Sequence, residues 1–254
     1  LLAGVYDGTK LKLAEVHRFE NGGIRVGNCL YWDVLRLWQN IVDGLRAANS
    51  QYGSSISSVG VDTWGVDFGL LGRDGRLLSN PVHYRDARTH GILETAFDVV
   101  SRDDIFAESG LQFMEFNTLY QLYALKLQDS PVLNVADSFL MIPDLFHWML
   151  TGEKANEMSN ATTTQFFNPA TGDWSRSLLE RFGIPTGMLG NIIQPGTRLG
   201  GLQASVADAT GLTNVDVVVP GTHDTASAVM AVPAAGEIGQ RPNWCYISSG
   251  TWSL

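Results

Sequence analysis

Several residue types and patterns that define particular classes of protein are scarce or missing in this sequence. Its 254 residues include two cysteines, Cys29 and Cys245, which are too few for a disulfide framework or a cysteine-rich zinc site. The simplest interpretation is a pair of reduced thiols in the cytoplasm. No apolar stretch approaches the roughly 20 residues that a membrane-spanning helix needs, and no signal peptide is visible. We therefore expect a cytoplasmic protein that does not act at a membrane.

Positive charge is scarce too, and it is dispersed. The chain has 17 Lys and Arg residues against 26 Asp and Glu residues, which gives a formal net charge of −9 at pH 7. A nucleic-acid backbone is bound by clustered cations, and no run of Lys or Arg occurs in this chain. The composition therefore argues against a nucleic-acid partner. An anionic small molecule stays compatible with it, because backbone N–H groups can hold a phosphate without net positive charge.

Short motifs of common nucleotide-binding and hydrolytic proteins are absent as well. The sequence contains no Walker A motif, no Gly-x-Gly-x-x-Gly and no Gly-x-Ser-x-Gly. It does contain 44% hydrophobic and 17% charged residues, which is typical of a globular protein with a sizeable core. Strand-like, helix-like and hairpin-like segments are mixed along the chain, so we predict an α/β fold.

The coarse pattern places the main elements. Residues 1–20 are predicted to form two strands joined by an Asp-Gly turn, and Asp33 is a candidate N-cap for an amphipathic helix. Residues 92–150 are predicted to be mostly helical, and a β-branched run at 215–219 predicts a strand. Both ends, including a strand-like stretch at 244–249, suggest a chain cut through structure, so we expect a piece of a longer protein.

The stretch GTHDTASAV, residues 221–229, places His223 and Asp224 where a strand passes into a helix. One interpretation is structural, because Asp is a favoured N-cap. The other is functional, because strand ends in α/β sheets open onto ligand crevices, where a carboxylate can accept a proton from a substrate hydroxyl. The helix dipole would keep such a carboxylate ionised. This stretch leaves both interpretations open.

The stretch VGVDTWGVDFGLL, residues 59–71, carries Asp62 and Asp67 inside an apolar, strand-like run. Such carboxylates are costly unless they are paired or face a site. Trp64 and Gly65 place a flat aromatic face beside exposed backbone, an arrangement that suits the C–H face and the hydroxyls of a sugar. The structural alternative is a hairpin bulge at Gly65 with Trp64 in the core.

The remaining polar motifs have simple structural explanations. SSGTWSL, residues 248–254, could turn N–H groups and hydroxyls onto a phosphate, but its composition is also that of an ordinary β-turn. YRDART, residues 84–89, is expected to form a local ion-pair cluster of Arg85, Asp86 and Arg88. The other histidines lack a metal-ligand spacing and are expected to be structural or surface residues: His17, His83, His90 and His147.

Several stretches, taken in chain order, resemble the FGGY carbohydrate kinases of the actin/Hsp70/hexokinase-like superfamily. They are VGVDTWGVDFGLL, YRDARTHG, FNTLYQLYAL, PDLFHWMLTG, NATTTQ, HDTASAV and SSGTWSL. The resemblance implies an RNase H-like (actin-like ATPase) mixed sheet flanked by helices, the first lobe of a two-lobe sugar kinase. Residues 1–243 would form the N-terminal sugar-binding domain, incomplete at its N-terminus, and residues 244–254 would begin the C-terminal nucleotide-binding domain.

The resemblance also implies roles for the matching residues, with ATP and Mg²⁺ as cofactors. Asp224 matches the proton acceptor. The positions that match sugar-binding residues are Gly65, His223, Asp224 and Thr225. The positions that match the nucleotide site are Gly250 and Thr251. Trp64 is our own addition, expected to pack against the apolar side of a 6-deoxy sugar. No metal ligand and no oligomeric state are assigned.

The reaction that the resemblance implies moves the γ-phosphoryl group of ATP to the 1-hydroxyl of L-rhamnulose. Three alternatives stay open: a kinase of another ketose such as L-fuculose, a non-catalytic sugar-binding relative, and a metal-dependent phosphohydrolase built around His223 and Asp224. The first strand and phosphate loop of the family, and its second lobe, have no match in this sequence. We therefore expect this piece to hold sugar without phosphorylating it, and sugar-dependent ADP production by the piece would contradict that expectation.

Overall fold

The structure is a computed structural model that describes residues 1–234, 241, 244–247 and 249. Gly250, Thr251 and much of the segment assigned to a second domain lie outside the described residues, so the domain boundary stays a prediction. The strand expected at 244–249 is not formed at 244–247. Within the described part of the chain, no helix has both the length and the apolar character needed to cross a bilayer.

Short strands and helices are mixed along the described chain, as the sequence predicts. The strands are β1 (Leu2–Tyr6), β2 (Leu11–Glu15), β3 (Gly23–Val26), β4 (Cys29–Trp32), β5 (Ser58–Val59), β6 (Phe68–Leu71), β7 (Ser138–Met141), β8 (Asn156–Glu157), β9 (Phe167–Asn168), β10 (Asp173–Trp174), β11 (Ile192–Ile193), β12 (Arg198–Gly201) and β13 (Asp216–Val218). The helices are α1 (Val34–Tyr52), α2 (Ile92–Val99), α3 (Arg102–Ser109), α4 (Thr118–Leu127), α5 (Pro131–Val135), α6 (Ile142–Thr151), α7 (Met158–Ala161), α8 (Arg176–Arg181), α9 (Ala204–Thr210) and α10 (Asp224–Met230).

Local sequence signals determine several of these elements. β1 and β2 pair antiparallel across the predicted turn, where the Asp7 carboxylate accepts from the N–H groups of Thr9 and Lys10 at 2.9 and 2.8 Å. α1 begins after Asp33, whose carboxylate accepts from the N–H of Arg36 at 3.1 Å. The predicted hairpin and the predicted N-cap are both confirmed. The buried face of α1 comprises Val34, Leu37, Ile41, Val42, Gly44, Leu45 and Ala48.

The region 92–150 is mostly helical, as predicted, but it also contains the strand β7. β7 pairs antiparallel with β6 along its whole length. Its sequence, SFLM, is a short apolar run, which periodicity cannot distinguish from a buried piece of helix. The long-range pairing with β6 decides its conformation.

A three-stranded sheet in the order β12–β13–β5 leads to the candidate site. β13 pairs antiparallel with β12 and parallel with β5, with Asp216 opposite Ser58 and Val217 opposite Val59. Because β5 and β13 run parallel, the segments that follow them leave the sheet at the same edge. Those segments carry the two motifs at 59–71 and 221–229.

Two apolar clusters form the core of the part of the chain that the structure describes. One surrounds α4 and β7, and its fully buried members include Leu119, Phe139 and Phe166. The other joins α1, α6 and β13 through residues such as Leu145 and Val217, which are also fully buried. Burying a side chain of this size contributes about 1.5–3 kcal/mol, so the second cluster holds the sheet edge firmly against α6.

α6 also carries two buried polar side chains. Asp144 Oδ1 accepts from the N–H of Glu157 at 3.1 Å, and His147 Nε2 accepts from the N–H of Val61 at 3.0 Å. Burial raises the pKa of Asp144 well above its usual range, and the Glu157 charge acts in the same direction. Burial lowers the pKa of His147 to about 4. His147 is therefore a neutral structural residue, as expected, and it holds the backbone that leads into the site.

Because the folded chain keeps His147 neutral, its stability depends on pH. The pKa of His147 is about 4 in the folded state, against 6.5 for an unperturbed histidine. As the pH falls through this window the unfolded state takes up a proton first, so the free energy of unfolding drops by up to about 3 kcal/mol. In His147→Gln the amide oxygen replaces the imidazole as acceptor and cannot be protonated, so we expect this part of the pH dependence to disappear.

Urea titrations between pH 7 and pH 5 measure the effect. The exposed residue His90 supplies the control, since His90→Gln leaves the pH dependence of the parent chain in place. Parallel pH curves for the parent and His147→Gln would contradict this account of His147.

Candidate functional site

The two motifs at 59–71 and 221–229 meet side by side. Beyond β5 and β13, the N–H of Thr63 donates to the carbonyl of Thr222 at 2.9 Å, and the N–H of Asp224 donates to the carbonyl of Thr63 at 2.8 Å. These bonds form an isolated parallel bridge between Thr63 and His223. The first N–H of α10, which has no partner within the helix, is thereby satisfied. We call residues 221–225 the corner and residues 64–67 the Gly65 turn.

The corner places Asp224 at the first position of α10. The N-cap is His223, whose backbone is extended at φ −79° and ψ 119°, so the interpretation of Asp224 as the N-cap is wrong. Asp224 Oδ1 accepts instead from the N–H of Thr225 at 2.6 Å and from its hydroxyl at 3.2 Å. The Asp224 side chain is 58% exposed, which leaves the carboxylate accessible to a ligand.

His223 lies beside Asp224, with its Nε2 3.6 Å from Asp224 Oδ1. Burial lowers the pKa of His223, and the charges of Asp224 and Glu157 oppose that effect without cancelling it. At neutral pH the imidazole is therefore uncharged, with one nitrogen that donates and one that accepts. Such a ring is suited to a hydrogen bond with a hydroxyl group.

Residues 157–160, at the end of β8 and the start of α7, support the corner from the protein interior, and we call them the polar loop. Glu157 is fully buried, and its Oε2 accepts from the N–H of Thr222 at 2.9 Å and from the Thr222 hydroxyl at 2.7 Å. Ser159 Oγ accepts from the N–H of His223 at 3.2 Å. The loop thus fixes two successive N–H groups immediately before Asp224.

The same loop ties the corner to the Gly65 turn. Asn160 Nδ2 donates to the carbonyls of Trp64 and Thr222, each at 3.4 Å. Sequence reasoning did not predict Glu157 or Asn160 as site residues, because NEMSNATTT, residues 156–164, shows no periodicity. Its one local signal is the Glu157 carboxylate, two residues before a Ser-Asn pair, and that pattern is also typical of an ordinary helix start.

Gly65 lies where two chain segments approach closely. It is buried, and a Cβ atom on it would lie 2.8 Å from Cγ2 and 3.0 Å from Oγ1 of Thr163. The Thr163 hydroxyl accepts from the N–H of Val66 at 2.9 Å and donates to the carbonyl of Asn160 at 2.7 Å, so this side chain is held in place. The hairpin-bulge interpretation is wrong, because β5 pairs with β13 and β6 pairs with β7 rather than with each other.

Asp67 is a fully buried carboxylate that holds the Gly65 turn. Its Oδ2 accepts from the indole N–H groups of Trp32 and Trp64 at 2.6 and 3.0 Å, and from the N–H of Tyr84 at 3.2 Å. Its Oδ1 accepts from Gln121 Nε2 at 2.9 Å. Burial raises the pKa of Asp67 to about 6, although these donors act in the opposite direction. The partners that a buried carboxylate requires are therefore present.

Asp62, the other carboxylate of this motif, is exposed beside the corner. Partial desolvation raises the pKa of Asp62, and the charge of Asp224 raises it further. The two carboxylates are thus close enough to interact at the open side of the site.

An aromatic row leads from the Gly65 turn to a pocket. The ring centroids of Trp64 and Trp32 lie 4.1 Å apart, and Trp32 stacks on His83 at 4.0 Å. Tyr84 follows at 4.7 Å from His83, and Phe116 lies 5.7 Å from Tyr84. The pocket at the end of the row has a volume of about 240 Å³ and is lined by Tyr84, Arg85, Asp86, Thr89, His90, Glu115 and Phe116.

The ion-pair cluster expected in YRDART does not form. Asp86 Oδ2 accepts from the N–H of Leu30 at 2.7 Å, and Asp86 Oδ1 accepts from the N–H of Arg88 at 3.0 Å. The guanidinium of Arg88 donates to Gln121 Oε1 at 2.7 Å. The Asp86 carboxylate thus binds backbone N–H groups, and the Arg88 guanidinium binds a side-chain amide, instead of binding each other. A buried N–H without a partner is costly, which favours these bonds.

Within the described part of the chain, no group of three or more His, Cys, Asp or Glu side chains could hold a metal ion. A phosphohydrolase centred on His223 and Asp224 would need such a set of ligands. The described residues therefore do not support that alternative.

Solved structures establish the class of fold. A xylulose kinase from Rhodospirillum rubrum superposes with a TM-score of 0.78 at 18% identity, over 89% of this chain and 48% of that one. A carbohydrate kinase from Novosphingobium aromaticivorans superposes with a TM-score of 0.77 at 21% identity, over 98% of this chain and 53% of that one. The fold is that of the first lobe of a two-lobe, actin-like sugar kinase, as the resemblance implied.

The family follows from the sequence comparison. The profile of the FGGY family of carbohydrate kinases, N-terminal domain, matches residues 3–231, and the chain belongs to this family. It is 43% identical to the rhamnulokinase of Oceanobacillus iheyensis over 100% of this chain and 52% of that protein. It is 42% identical to the rhamnulokinase of Bacteroides thetaiotaomicron over 96% of this chain and 49% of that protein. The chain spans about half the length of the curated relatives it matches.

The close approach at Gly65 predicts a strong coupling with Thr163. In Gly65→Ala the new methyl group meets a side chain that its hydrogen bonds hold in place, so we expect a loss of about 2 kcal/mol in the free energy of unfolding. In a Thr163→Ala background Cγ2 and Oγ1 are gone and only the Cβ atom, at 3.1 Å, remains, so Gly65→Ala should cost less than in the parent chain.

Gly22 supplies the matched control, because no atom lies within 4 Å of a Cβ built there. Gly22→Ala should change the free energy of unfolding by less than about 0.5 kcal/mol. Urea unfolding of the four Gly65 and Thr163 combinations measures the cycle, and additive losses would contradict the proposed contact.

Proposed function

We propose that this chain is the sugar-binding half of a kinase that transfers the γ-phosphoryl group of ATP to the 1-hydroxyl of L-rhamnulose. The observation that carries the proposal is the exposed Asp224 carboxylate, presented at a strand-to-helix corner beside the Gly65 turn. Relatives named rhamnulokinase, at 42% and 43% identity, support the choice of substrate. A cytoplasmic location, and ATP with Mg²⁺ as cofactors, belong to the same proposal.

Asp224 is the proton acceptor in this proposal. The sugar hydroxyl oxygen attacks the γ-phosphorus, its O–H bond breaks, and the proton passes to the Asp224 carboxylate. The bond between the γ-phosphorus and the bridging oxygen breaks at the same time, and that oxygen leaves with ADP. Phosphoryl transfer passes through a loose transition state, so positioning and charge neutralisation supply most of the rate. A weakly basic carboxylate at the right place is therefore sufficient.

The sugar is bound by polar groups on one side and an aromatic side chain on the other. The neutral His223 ring and the Thr225 hydroxyl bind hydroxyl groups, while Gly65, which is buried with its carbonyl accepting from the N–H of Asp67 at 2.9 Å, shapes the turn behind them rather than presenting the exposed backbone that the sequence suggested. Trp64 is half-buried with Trp32 packed against it, and its remaining surface faces the apolar, 6-deoxy side of the sugar.

The donor set fits a magnesium nucleotide. Mg²⁺ is commonly held by one or two carboxylates together with substrate phosphates, and the exposed carboxylate of Asp62 would offer one such ligand while Asp224 stays free to accept the proton. When bound, the ion neutralises charge on the transferring phosphoryl group. Gly250 and Thr251, which we propose as nucleotide contacts, lie outside the described residues.

ADP release by the protein in its full natural length tests the proposal. With Mg-ATP we expect turnover on L-rhamnulose, and a loss of about a hundredfold or more in kcat for Asp224→Asn, because the amide cannot accept the proton. Asp74→Asn is the matched control, since Asp74 lies in an exposed turn where its carboxylate accepts from the N–H of Arg76. This variant should turn over at the parent rate.

Each other outcome points to a specific alternative. Turnover confined to L-fuculose or D-xylulose would assign a different ketose to the same site. Sugar binding without turnover on any ketose would identify a non-catalytic sugar-binding protein and leave Asp224 without a chemical role. An unchanged kcat in Asp224→Asn would show that another group accepts the proton.

A further inference from the structure

The buried Glu157 carboxylate has more hydrogen-bond donors around it than a structural helix cap needs. As the N-cap of α7 it accepts from the N–H of Ser159 at 2.9 Å and from the N–H of Asn160 at 3.4 Å. It also accepts from the N–H and the hydroxyl of Thr222, at 2.9 and 2.7 Å, and from the Ser159 hydroxyl. The bonds to Thr222 reach a segment far along the chain and end two residues before Asp224.

The corner is held by groups outside α10 at three successive backbone N–H groups. Thr222 donates to Glu157, His223 donates to Ser159 Oγ, and Asp224 donates to the carbonyl of Thr63. A short helix that begins at Asp224 does not fix the direction in which its first side chain points. These three bonds fix the backbone there, and with it the origin of the Asp224 side chain.

A carboxylate at position 157 also fixes the direction of the hydrogen bonds. An ionised carboxylate only accepts, so the Ser159 hydroxyl must donate to Glu157 and keeps its oxygen lone pairs for the N–H of His223. A glutamine there would present an NH₂ group to part of the same donor set. The Ser159 hydroxyl would then lose the acceptor that orients it, and its lone pairs would no longer be held toward the N–H of His223.

Burial makes this arrangement expensive, which argues that it serves more than folding. A buried ion costs several kcal/mol of desolvation, and an apolar or amide side chain would often support a loop as well. Glu157 stays buried at 0% exposure beside a second buried acid, Asp144, whose pKa its charge raises. The desolvation penalty of Glu157 therefore falls at the point where the polar loop contacts the corner.

We propose that Glu157 is a positioning residue for phosphoryl transfer: through Thr222 and Ser159 it holds Asp224 in line with the substrate hydroxyl. The proposal rests on the proposed function, in which Asp224 accepts the proton. Small displacements of a reacting group are costly, since proximity and orientation supply a large part of the rate.

A double-mutant cycle on the protein in its full natural length tests the proposal. We expect Glu157→Gln to lower kcat by about tenfold or more, with the KM for ATP changed less than about twofold. In an Asp224→Asn background the same change should lower the residual kcat by less than about twofold, because the group that Glu157 positions is already gone. Equal losses in both backgrounds, or no loss in the first, would overturn the proposal.

Two further variants separate positioning from a general loss of folding. Ser159→Ala leaves the Glu157 carboxylate in place but removes the acceptor of the His223 N–H, and it should show the same dependence on Asp224. Glu108→Gln is the matched control, because Glu108 Oε2 likewise accepts from Ser175 Oγ at 2.7 Å and from Asn168 Nδ2 at 2.9 Å, outside the site. The control should keep the parent kcat. All rates are expressed per sugar-binding site counted by calorimetry.

A crystal structure of Glu157→Gln tests the positioning role by a measurement that does not depend on turnover. If the parent protein releases no ADP with any ketose, the proposed function has failed, and the positioning claim is then decided by the coordinates. A shift of the Asp224 carboxylate by more than about 1 Å from its parent position would support positioning. Superposition of the corner on the parent structure would overturn it.

Discussion

The parallel alignment of two strand ends is the constraint on which the candidate site depends. β5 and β13 run side by side, and the alignment continues beyond them to the bridge between Thr63 and His223. Each segment then turns away, one through Gly65 and the other into α10. The chemistry-bearing residues of two distant motifs are adjacent because hydrogen bonds between their backbones bring them together. His223 and Asp224, at 3.6 Å, are neighbours in the chain.

Buried polar side chains hold this alignment through hydrogen bonds to the backbone. His147 accepts from the N–H of Val61 on one strand extension, while Glu157 accepts from Thr222 on the other. Asp67 performs the same task for the Gly65 turn, with two indole N–H groups among its donors. Hydrogen bonds to a charged group contribute about 1.5–3 kcal/mol each, so several together offset a desolvation penalty of comparable size. These buried hydrogen bonds thus fix the positions of the backbone segments that form the site at the surface of the lobe.

The sequence predicts the parts of the fold that depend on local signals. The Asp-Gly turn between β1 and β2, the Asp33 cap of α1 and the strand before the corner are all confirmed, because each rests on neighbouring residues. The N-cap of α10 is displaced by one residue from the prediction, since the extended residue is His223 rather than the preferred capping type. β7 was missed because its strand character comes from pairing with β6.

The segments that carry the candidate site could be predicted from the sequence, but the buried residues that support those segments could not. Motif resemblance selected Gly65, His223 and Asp224, and the structure brings the segments that carry them together. Glu157 carries no comparable signal, because a lone glutamate in a polar stretch is usually solvated. Its role depends on burial and on a partner far along the chain. Asp86 shows the same limit, since it accepts from the backbone N–H groups of Leu30 and Arg88 rather than from a neighbouring guanidinium.

The most direct measurement is a crystal structure of the protein in its full natural length with L-rhamnulose bound. We expect the sugar to lie between Trp64 and the corner, with its 1-hydroxyl oxygen about 3 Å from an Asp224 carboxylate oxygen, the distance that proton transfer requires. A sugar bound elsewhere, or one whose 1-hydroxyl points away from Asp224, would contradict the assignment of this corner as the reacting centre.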